Sequence, residues 1–142
     1  MRQSANKANT LGQPKATPFV YKDLVMINIV KIIPHIPSTD MEVTKEFFIN
    51  LFGFKVVTDS GSFITLNNNE YTLGILKALS DPNEQSVYIQ VSEIEKLWAN
   101  LKDKINRYKH KALFTQDYGM TEFHVIIPKT ATLLFVGEPT NA

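Results

Sequence analysis

The sequence has 142 residues, of which 44% are hydrophobic and 20% charged, as expected for one globular domain or two small modules that share a core. The 15 basic and 14 acidic residues give a net charge of +1, which argues against nucleic acid or an acidic membrane surface as a partner. Cysteine is absent, which excludes disulfides, thiolate nucleophiles and cysteine-bound zinc and fits a reducing compartment. We therefore expect a cytoplasmic protein that binds neither nucleic acid nor membrane.

Residues 1–25 form the first predicted element, an N-terminal arm. The stretch is polar, has no periodicity, and is interrupted by one glycine and two prolines. It lacks the apolar centre that a signal peptide needs. The next run, Leu24–Ile33, is apolar but far too short to span a bilayer, so it predicts a buried strand. The folded domain is expected to cover residues 26–142.

An internal repeat with a spacing of 53 residues follows the arm. In this register Thr39-x-x-Glu42 falls on Ser92-x-x-Glu95. In each pattern a hydroxyl and a carboxylate can satisfy the free backbone N–H groups of a helix start, which predicts a capping box. Each pattern follows an apolar, β-rich run and opens an amphipathic stretch of about a dozen residues. Two repeated strand–helix units are predicted, the alternative being two unrelated helices with ordinary caps.

Three short strands, bounded by Gly, Asn and Pro clusters, are predicted after each helix. They cover about residues 54–59, 62–66, 71–77, 112–116, 121–127 and 133–137. The sequence therefore predicts an α+β fold of two tandem βαβββ modules, at about residues 27–80 and 84–139. Neither module can bury its sheet alone, so we expect the two to form a curved, mixed half-barrel. Helices would cover its convex side and leave a groove on the concave side.

Strand alternation then divides residues 86–91 between these two faces. The side under a helix is expected to take Val87, Ile89 and Val91. The groove is expected to take Ser86, Tyr88 and Gln90. Phe135 shares groove parity with Tyr88, and the two aromatic rings would supply the flat apolar walls typical of ligand sites. The alternative is that bulky side chains simply fill the groove.

Local motifs in both modules carry a resemblance to a known family. They are, in chain order, Ile36-Pro37-Ser38-Thr39-Asp40, Phe47-Phe48, Leu51-Phe52-Gly53-Phe54, Tyr118-Gly119-Met120-Thr121, Pro128 and Thr132-Leu133-Leu134-Phe135. Over about residues 27–139 this pattern resembles the vicinal oxygen chelate superfamily, which includes glyoxalase I, extradiol dioxygenases, fosfomycin-resistance enzymes and bleomycin-resistance proteins. The end of the pattern is similar to the bacterial bleomycin-resistance branch. The resemblance implies the fold more strongly than the function, because one fold hosts many activities.

The enzymes of this superfamily hold a divalent metal at four strand positions, and the resemblance locates those positions here. They fall at Ile33, at Ser86, at or next to Phe135, and within Tyr71–Leu76. Open-site metal catalysis needs about three protein ligands, and none of the family's His or Glu side chains is in place. We therefore expect no metal, no other cofactor and no catalytic residue, as in the bleomycin-resistance branch. A metal-dependent lyase or isomerase of the glyoxalase type is the alternative.

These observations predict a homodimeric protein that binds and sequesters a small molecule, with the arm lying partly across the partner subunit. Because the net charge is close to zero, the ligand is expected to be aromatic or amphipathic rather than strongly cationic. The predicted ligand-binding residues are Ile33, His35, Ser86, Tyr88, Gln90, Tyr118 and Phe135. His35 also fits a strand-end histidine near solvent, and His124 is predicted as an edge or outward imidazole. A non-catalytic interaction module with a filled groove is the third interpretation.

Overall fold

The computed structural model describes residues 25–140 of the chain. Except for Val25, the predicted N-terminal arm lies outside the described residues. The chain divides between Lys31 and Ile32, and residues 25–31 belong to the first of the two units. These seven residues have no regular secondary structure. Their large apolar side chains are exposed, namely Val25, Met26, Ile27, Ile29 and Val30.

The buried strand predicted for Leu24–Ile33 is wrong in the described part of that run. Residues 25–34 form no strand, and strand β1 begins only after Pro34 and covers His35–Ser38. Pro34 has no N–H group with which to extend a β-ladder, although its carbonyl oxygen accepts a hydrogen bond from the N–H of Gly74 at 2.9 Å. An apolar sequence by itself does not form a strand, because the backbone N–H and C=O groups also need a neighbouring strand with which to pair.

The described fold consists of two βαβββ modules in succession. The first module comprises β1, α1 (Met41–Phe52), β2 (Lys55–Asp59), β3 (Phe63–Asn68) and β4 (Tyr71–Lys77). The second comprises β5 (Gln85–Gln90), α2 (Ile94–Ile105), β6 (His110–Thr115), β7 (Met120–Ile126) and β8 (Thr132–Pro139). The two helices begin 53 residues apart and end 53 residues apart, so the repeat spacing is confirmed. Among these helices none is long and apolar enough to cross a membrane.

Each module forms its own four-stranded mixed sheet, and the strand order is the same in both. The first sheet runs β1–β4–β3–β2 and the second runs β5–β8–β7–β6. The first strand of each module pairs in parallel with the last strand, and the remaining pairs are antiparallel. The two sheets share no strand and are not closed into a barrel. The predicted α+β class and the tandem βαβββ topology are confirmed.

The two predicted capping boxes are wrong, because each helix begins one residue later than the box requires. Asp40 is the N-cap of α1, and its carboxylate accepts a hydrogen bond from the N–H of Val43 at 3.3 Å. Glu93 occupies the same position before α2 but has a left-handed backbone and makes no side-chain cap. The carboxylate of Glu138 in β8 replaces that cap by accepting from the N–H groups of Glu93 and Ile94, at 3.0 and 3.1 Å.

The buried apolar side chains of the two modules form one hydrophobic cluster. The hydroxyl of Thr44 in α1 donates to the carbonyl oxygen of Pro128 at 2.9 Å, and the ring of Phe47 meets that of Tyr108 edge-on with centroids 5.2 Å apart. These contacts join the first module to the second. As predicted, Val87 and Ile89 of β5 pack against the same cluster, and so does Val91, which directly follows the strand.

Candidate ligand-binding face

The second sheet has one face under α2 and one face without a helix, which we call the open face. Phe123 and Val125 of β7 and Leu134 of β8 are fully buried in the core under the helix. Because side chains alternate along a strand, their neighbours belong to the open face. The open face carries Ser86, Tyr88, Gln90, Phe135, Gly137, Glu122, His124, Phe114 and Lys111.

Four aromatic rings follow one another across the open face. Tyr88 and Phe135 lie opposite each other on paired strands and stack, with ring centroids 5.8 Å apart and planes inclined by 17°. His124 contacts Phe135 at a centroid distance of 4.1 Å. Phe114 then meets His124 edge-on at 5.3 Å. The rings form a continuous aromatic surface, because cross-strand neighbours on one face of a sheet stand within contact distance.

A fully buried carboxylate, that of Glu122, lies at the centre of this face. The hydroxyl of Tyr88 donates to its Oε2 at 2.6 Å, and the hydroxyl of Tyr118 donates to Oε1 at 2.5 Å. Oε1 also accepts from the amide of Gln116 at 3.1 Å and from Nε2 of His124 at 2.8 Å. Since an ionised carboxylate has no proton to give, Nε2 of His124 must carry the proton in that contact.

These four donors decide the charge of Glu122. Burial alone would raise its pKa, but the hydrogen bonds from Tyr118, Tyr88, His124 and Gln116 outweigh burial and lower the pKa from 4.5 to about 2. The pKa of Tyr88 is raised by burial and by its hydrogen bond to the carboxylate. The pKa of Tyr118 is raised chiefly by its hydrogen bond to the same group. At neutral pH the face therefore holds one buried negative charge beneath two protonated tyrosines.

Gly137 in β8 makes room for this arrangement. A Cβ atom at that position would collide with the hydroxyl oxygen of Tyr88 and would lie 2.8 Å from Cβ of Glu122. Gly74 has the corresponding place in β4, where an added Cβ would lie 2.9 Å from the ring of Phe63. In both sheets, glycine in the last strand of the module lets an aromatic ring lie directly against the backbone.

The predicted ligand-binding residues divide between two places. Ser86, Tyr88, Gln90 and Phe135 share the open face of the second sheet, as strand parity predicted. Tyr118 lies in the turn before β7 and joins them through Glu122. Whether these residues contact a ligand stays a prediction.

Ile33 and His35 are not part of that group. Ile33 precedes β1 and has no regular structure, and His35 contacts Phe63 of the first sheet with ring centroids 5.2 Å apart. His35 contacts the second module through its backbone: its carbonyl oxygen accepts a hydrogen bond from the side-chain amide of Gln85 at 2.9 Å. A role for these two residues in binding also stays a prediction.

Glu122 is the residue that sequence reasoning missed. A usable signal was present, because Glu122 alternates with the apolar residues Phe123 and Val125 in a strand that has a neighbour on each side. A carboxylate in the middle of such a strand needs hydrogen-bond donors and so indicates a polar cluster. His124 does face away from the core as predicted, but it is mostly enclosed, with 13% of its side chain exposed.

Two cavities in the described chain lie away from the open face. One, of about 350 Å³, is at the start of α2 beside Glu138 and Thr121. The other, of about 400 Å³, lies along α1 beside Phe47 and Arg107. None of the predicted ligand-binding residues lines either cavity. The open face is a partly exposed surface, on which Tyr88 is 42% and Tyr118 is 61% exposed.

The metal positions that the resemblance implies do not fit an ion. Ile33 and Phe135 have no donor atom in their side chains, Ser86 offers only a hydroxyl, and residues 71–76 contain neither carboxylate nor imidazole. Within residues 25–140, no three His, Cys, Asp or Glu side chains come close enough together to hold a metal. The residues at these positions do not form a metal centre, and the absence of metal from the purified protein stays a prediction.

No protein-family model and no curated protein matches the sequence. Solved structures do match. A bleomycin resistance determinant encoded on the transposon Tn5 is 20% identical, with a TM-score of 0.66 over 78% of this chain and 98% of its own. A bleomycin-binding protein from bleomycin-producing Streptomyces verticillus, complexed with copper(II)-bleomycin, is 16% identical, with a TM-score of 0.65 over 78% and 97%. A lactoylglutathione lyase from Agrobacterium tumefaciens is 11% identical, with a TM-score of 0.63 over 78% and 95%.

At these identities the similarity shows the fold. The chain has the fold of the bleomycin-binding proteins and of the lyase, so the vicinal oxygen chelate fold predicted from the sequence is confirmed. Because this fold supports both binding proteins and enzymes, the function has to be argued from the residues of the open face.

Proposed function

We propose that this protein binds and sequesters a small organic molecule on the open face of its second sheet. The observation that carries the proposal is the row of rings from Tyr88 through Phe135 and His124 to Phe114, set around the buried carboxylate of Glu122. Flat apolar walls with a few fixed polar groups are what small-molecule sites offer. The bleomycin-binding fold neighbours support the same class of function. The absence of cysteine supports the further proposal that the protein works in the reducing cytoplasm.

The protonation states on this face favour binding over catalysis. General acid–base catalysis works best with groups whose pKa is near the operating pH. The pKa of Glu122 is about 2, because its hydrogen bonds hold it ionised despite burial, so it is a weak base at neutral pH. The pKa values of Tyr88 and Tyr118 are raised, by burial and by the same carboxylate, so their hydroxyls are weak acids.

We also propose that the protein is a homodimer. Strand β2 is the edge of the first sheet and is exposed along its whole length, including Val56 and Val57. An exposed apolar edge is a surface that proteins usually cover by pairing. Light scattering should then give about twice 16.1 kDa. A mass of one chain at micromolar concentration would contradict this proposal.

A ligand screen tests the proposed binding. Aromatic and amphipathic compounds that raise the melting temperature would be titrated against Tyr88→Ala and Phe135→Ala variants. Tyr71, which is 68% exposed on the first sheet, supplies the matched control as Tyr71→Ala. We expect affinity to fall at least about tenfold in the first two variants, because each loses a stacking surface, and to stay unchanged in the control.

Two results would contradict the proposal. One is that no compound stabilises the protein, which would favour a filled interaction module. The other is that the compounds bind all three variants equally, which would place their site elsewhere. Metal content measured after purification without chelators tests the alternative enzyme: one equivalent of a divalent ion would favour the lyase interpretation.

A further inference from the structure

In the described part of the chain, no lysine or arginine makes an ion pair with the buried carboxylate of Glu122. Among residues 25–140 its ion-pair contact is with the imidazole of His124, at 2.8 Å. The nearby ammonium group of Lys111 lies over the ring of Phe114, 4.0 Å from its centroid, and makes no ion pair with the carboxylate. The negative charge of Glu122 is thus stabilised mainly by the dipoles of its hydrogen-bond donors. Because no lysine or arginine among these residues pairs with it, its electric field extends to the open face above it.

That surface consists of aromatic rings. Tyr88 and Tyr118 both donate their hydroxyl protons to the carboxylate, so their oxygens carry extra negative charge and their rings are richer in electrons. Both tyrosines are partly exposed, at 42% and 61%. A cation over such a ring is attracted by the ring and by the buried charge behind it. Lys111 already makes a contact of this kind with Phe114, at the edge of the same face.

The hydrogen bonding of Glu122 limits which cations fit. Oε1 accepts three hydrogen bonds, and Oε2 accepts one from Tyr88. The carboxylate is fully covered, so an N–H donor on a ligand would have to displace a tyrosine before reaching it. An alkylated ammonium has no need of an acceptor and can lie on the rings while the tyrosine hydroxyls stay in place.

We propose that the ligand of the open face carries an alkylated ammonium group, which lies against the rings of Tyr88 and Tyr118 with Glu122 behind them. This inference rests on the proposed binding function and names the chemistry of the ligand. It adds a cationic group to the expected aromatic or amphipathic ligand, an expectation that was based on the net charge of the whole chain. A local buried charge acts on a bound group more strongly than the distant surface charges do, because those are screened by solvent.

Choline and its neutral isostere 3,3-dimethyl-1-butanol test the inference, because they have nearly the same shape and differ in charge. Both would be titrated by NMR against the wild-type chain and against Glu122→Gln and Tyr118→Ala. The matched controls are Glu70→Gln and Tyr71→Ala, which change an exposed carboxylate and an exposed tyrosine on the first module. Choline should bind at least about fivefold more tightly than the isostere, with shifts in residues of the open face.

The preference for choline should disappear in Glu122→Gln and weaken in Tyr118→Ala, and it should persist in both controls. If Glu122→Gln does not fold, the Tyr118→Ala variant tests the inference by itself. That variant should fold, because the side chain of Tyr118 is exposed and lies in a turn. Equal binding of choline and the isostere, or an unchanged preference in these two variants, would overturn the inference. If compounds from the screen still bind in a way that depends on Tyr88 and Phe135, the proposed binding function holds and only the inference about the ammonium group fails. If the screen yields no such compound, both the proposed function and the inference fail.

Discussion

Replacing Glu122 by glutamine tests the buried charge at the centre of the open face. The carboxylate is fully buried and yet ionised at neutral pH, because four hydrogen bonds outweigh burial and lower its pKa from 4.5 to about 2. In the unfolded chain the group returns to its ordinary pKa, so the unfolded state binds more protons between these two values. Its contribution to stability is therefore present above pH 4.5 and is lost as the pH falls toward 2.

The size of this contribution follows from the shift, since one pKa unit corresponds to about 1.4 kcal/mol. A fall from 4.5 to about 2 corresponds to about 3 kcal/mol of unfolding free energy at neutral pH. The glutamine side chain does not titrate, so the difference in stability between the wild type and Glu122→Gln isolates the pH dependence of this one group. We expect that difference to be largest at pH 7 and to decrease by about 2 kcal/mol as the pH falls to 3, because the folded protein keeps the carboxylate ionised there while the unfolded chain does not.

Urea unfolding at a series of pH values between 7 and 3 measures the difference. Trp98 is the only tryptophan and packs against Phe123 with ring centroids 5.0 Å apart, so its fluorescence reports on the core under the second sheet. Glu70→Gln serves as the matched control, because it makes the same substitution at an exposed carboxylate of the first module. A difference between wild type and Glu122→Gln that stays constant over this range would refute the reasoning.

Four further substitutions test the packing and the cap of α2, each by thermal and urea unfolding. Leu134→Ala removes a fully buried side chain and should cost about 2–5 kcal/mol, whereas Tyr88→Ala on the partly exposed face should cost clearly less; equal costs would contradict the assignment of faces. Gly137→Ala should cost about 1–3 kcal/mol, because the added methyl group collides with Tyr88 and displaces its hydroxyl from the carboxylate, and a fully stable variant would show that the close approach is absent. Glu138→Ala should cost about 1–2 kcal/mol, because two backbone N–H groups at the start of α2 lose their acceptor, and unchanged stability would mean that water replaces it.

The open face shows how much of a site can be predicted from the alternation of side chains along single strands. Parity along the strands was enough to predict that Tyr88 and Phe135 lie on one face and that Ile89 lies on the other. It could not show that Tyr118 joins them, because that tyrosine lies in a turn and reaches the face only through its hydrogen bond to Glu122. The cluster therefore becomes visible only when β6, β7 and the turn between them are placed side by side.

Patterns in the sequence were sufficient to predict the repeat, the order of the elements and the faces of the strands in the second module. These are properties of periodicity over a few residues, such as the spacing of 53 between the two helices. The tertiary structure alone decided where β1 begins, which group caps α2, and how Glu122 is kept ionised. Each of these depends on partners that are distant in the chain: the cap of α2 comes from Glu138, 45 residues after Glu93, and the hydroxyl of Tyr88 meets the carboxylate of Glu122 across 34 residues. Hydrogen bonds of this kind form only after the sheets have paired, because the backbone must first bring their donors and acceptors within about 3 Å of each other.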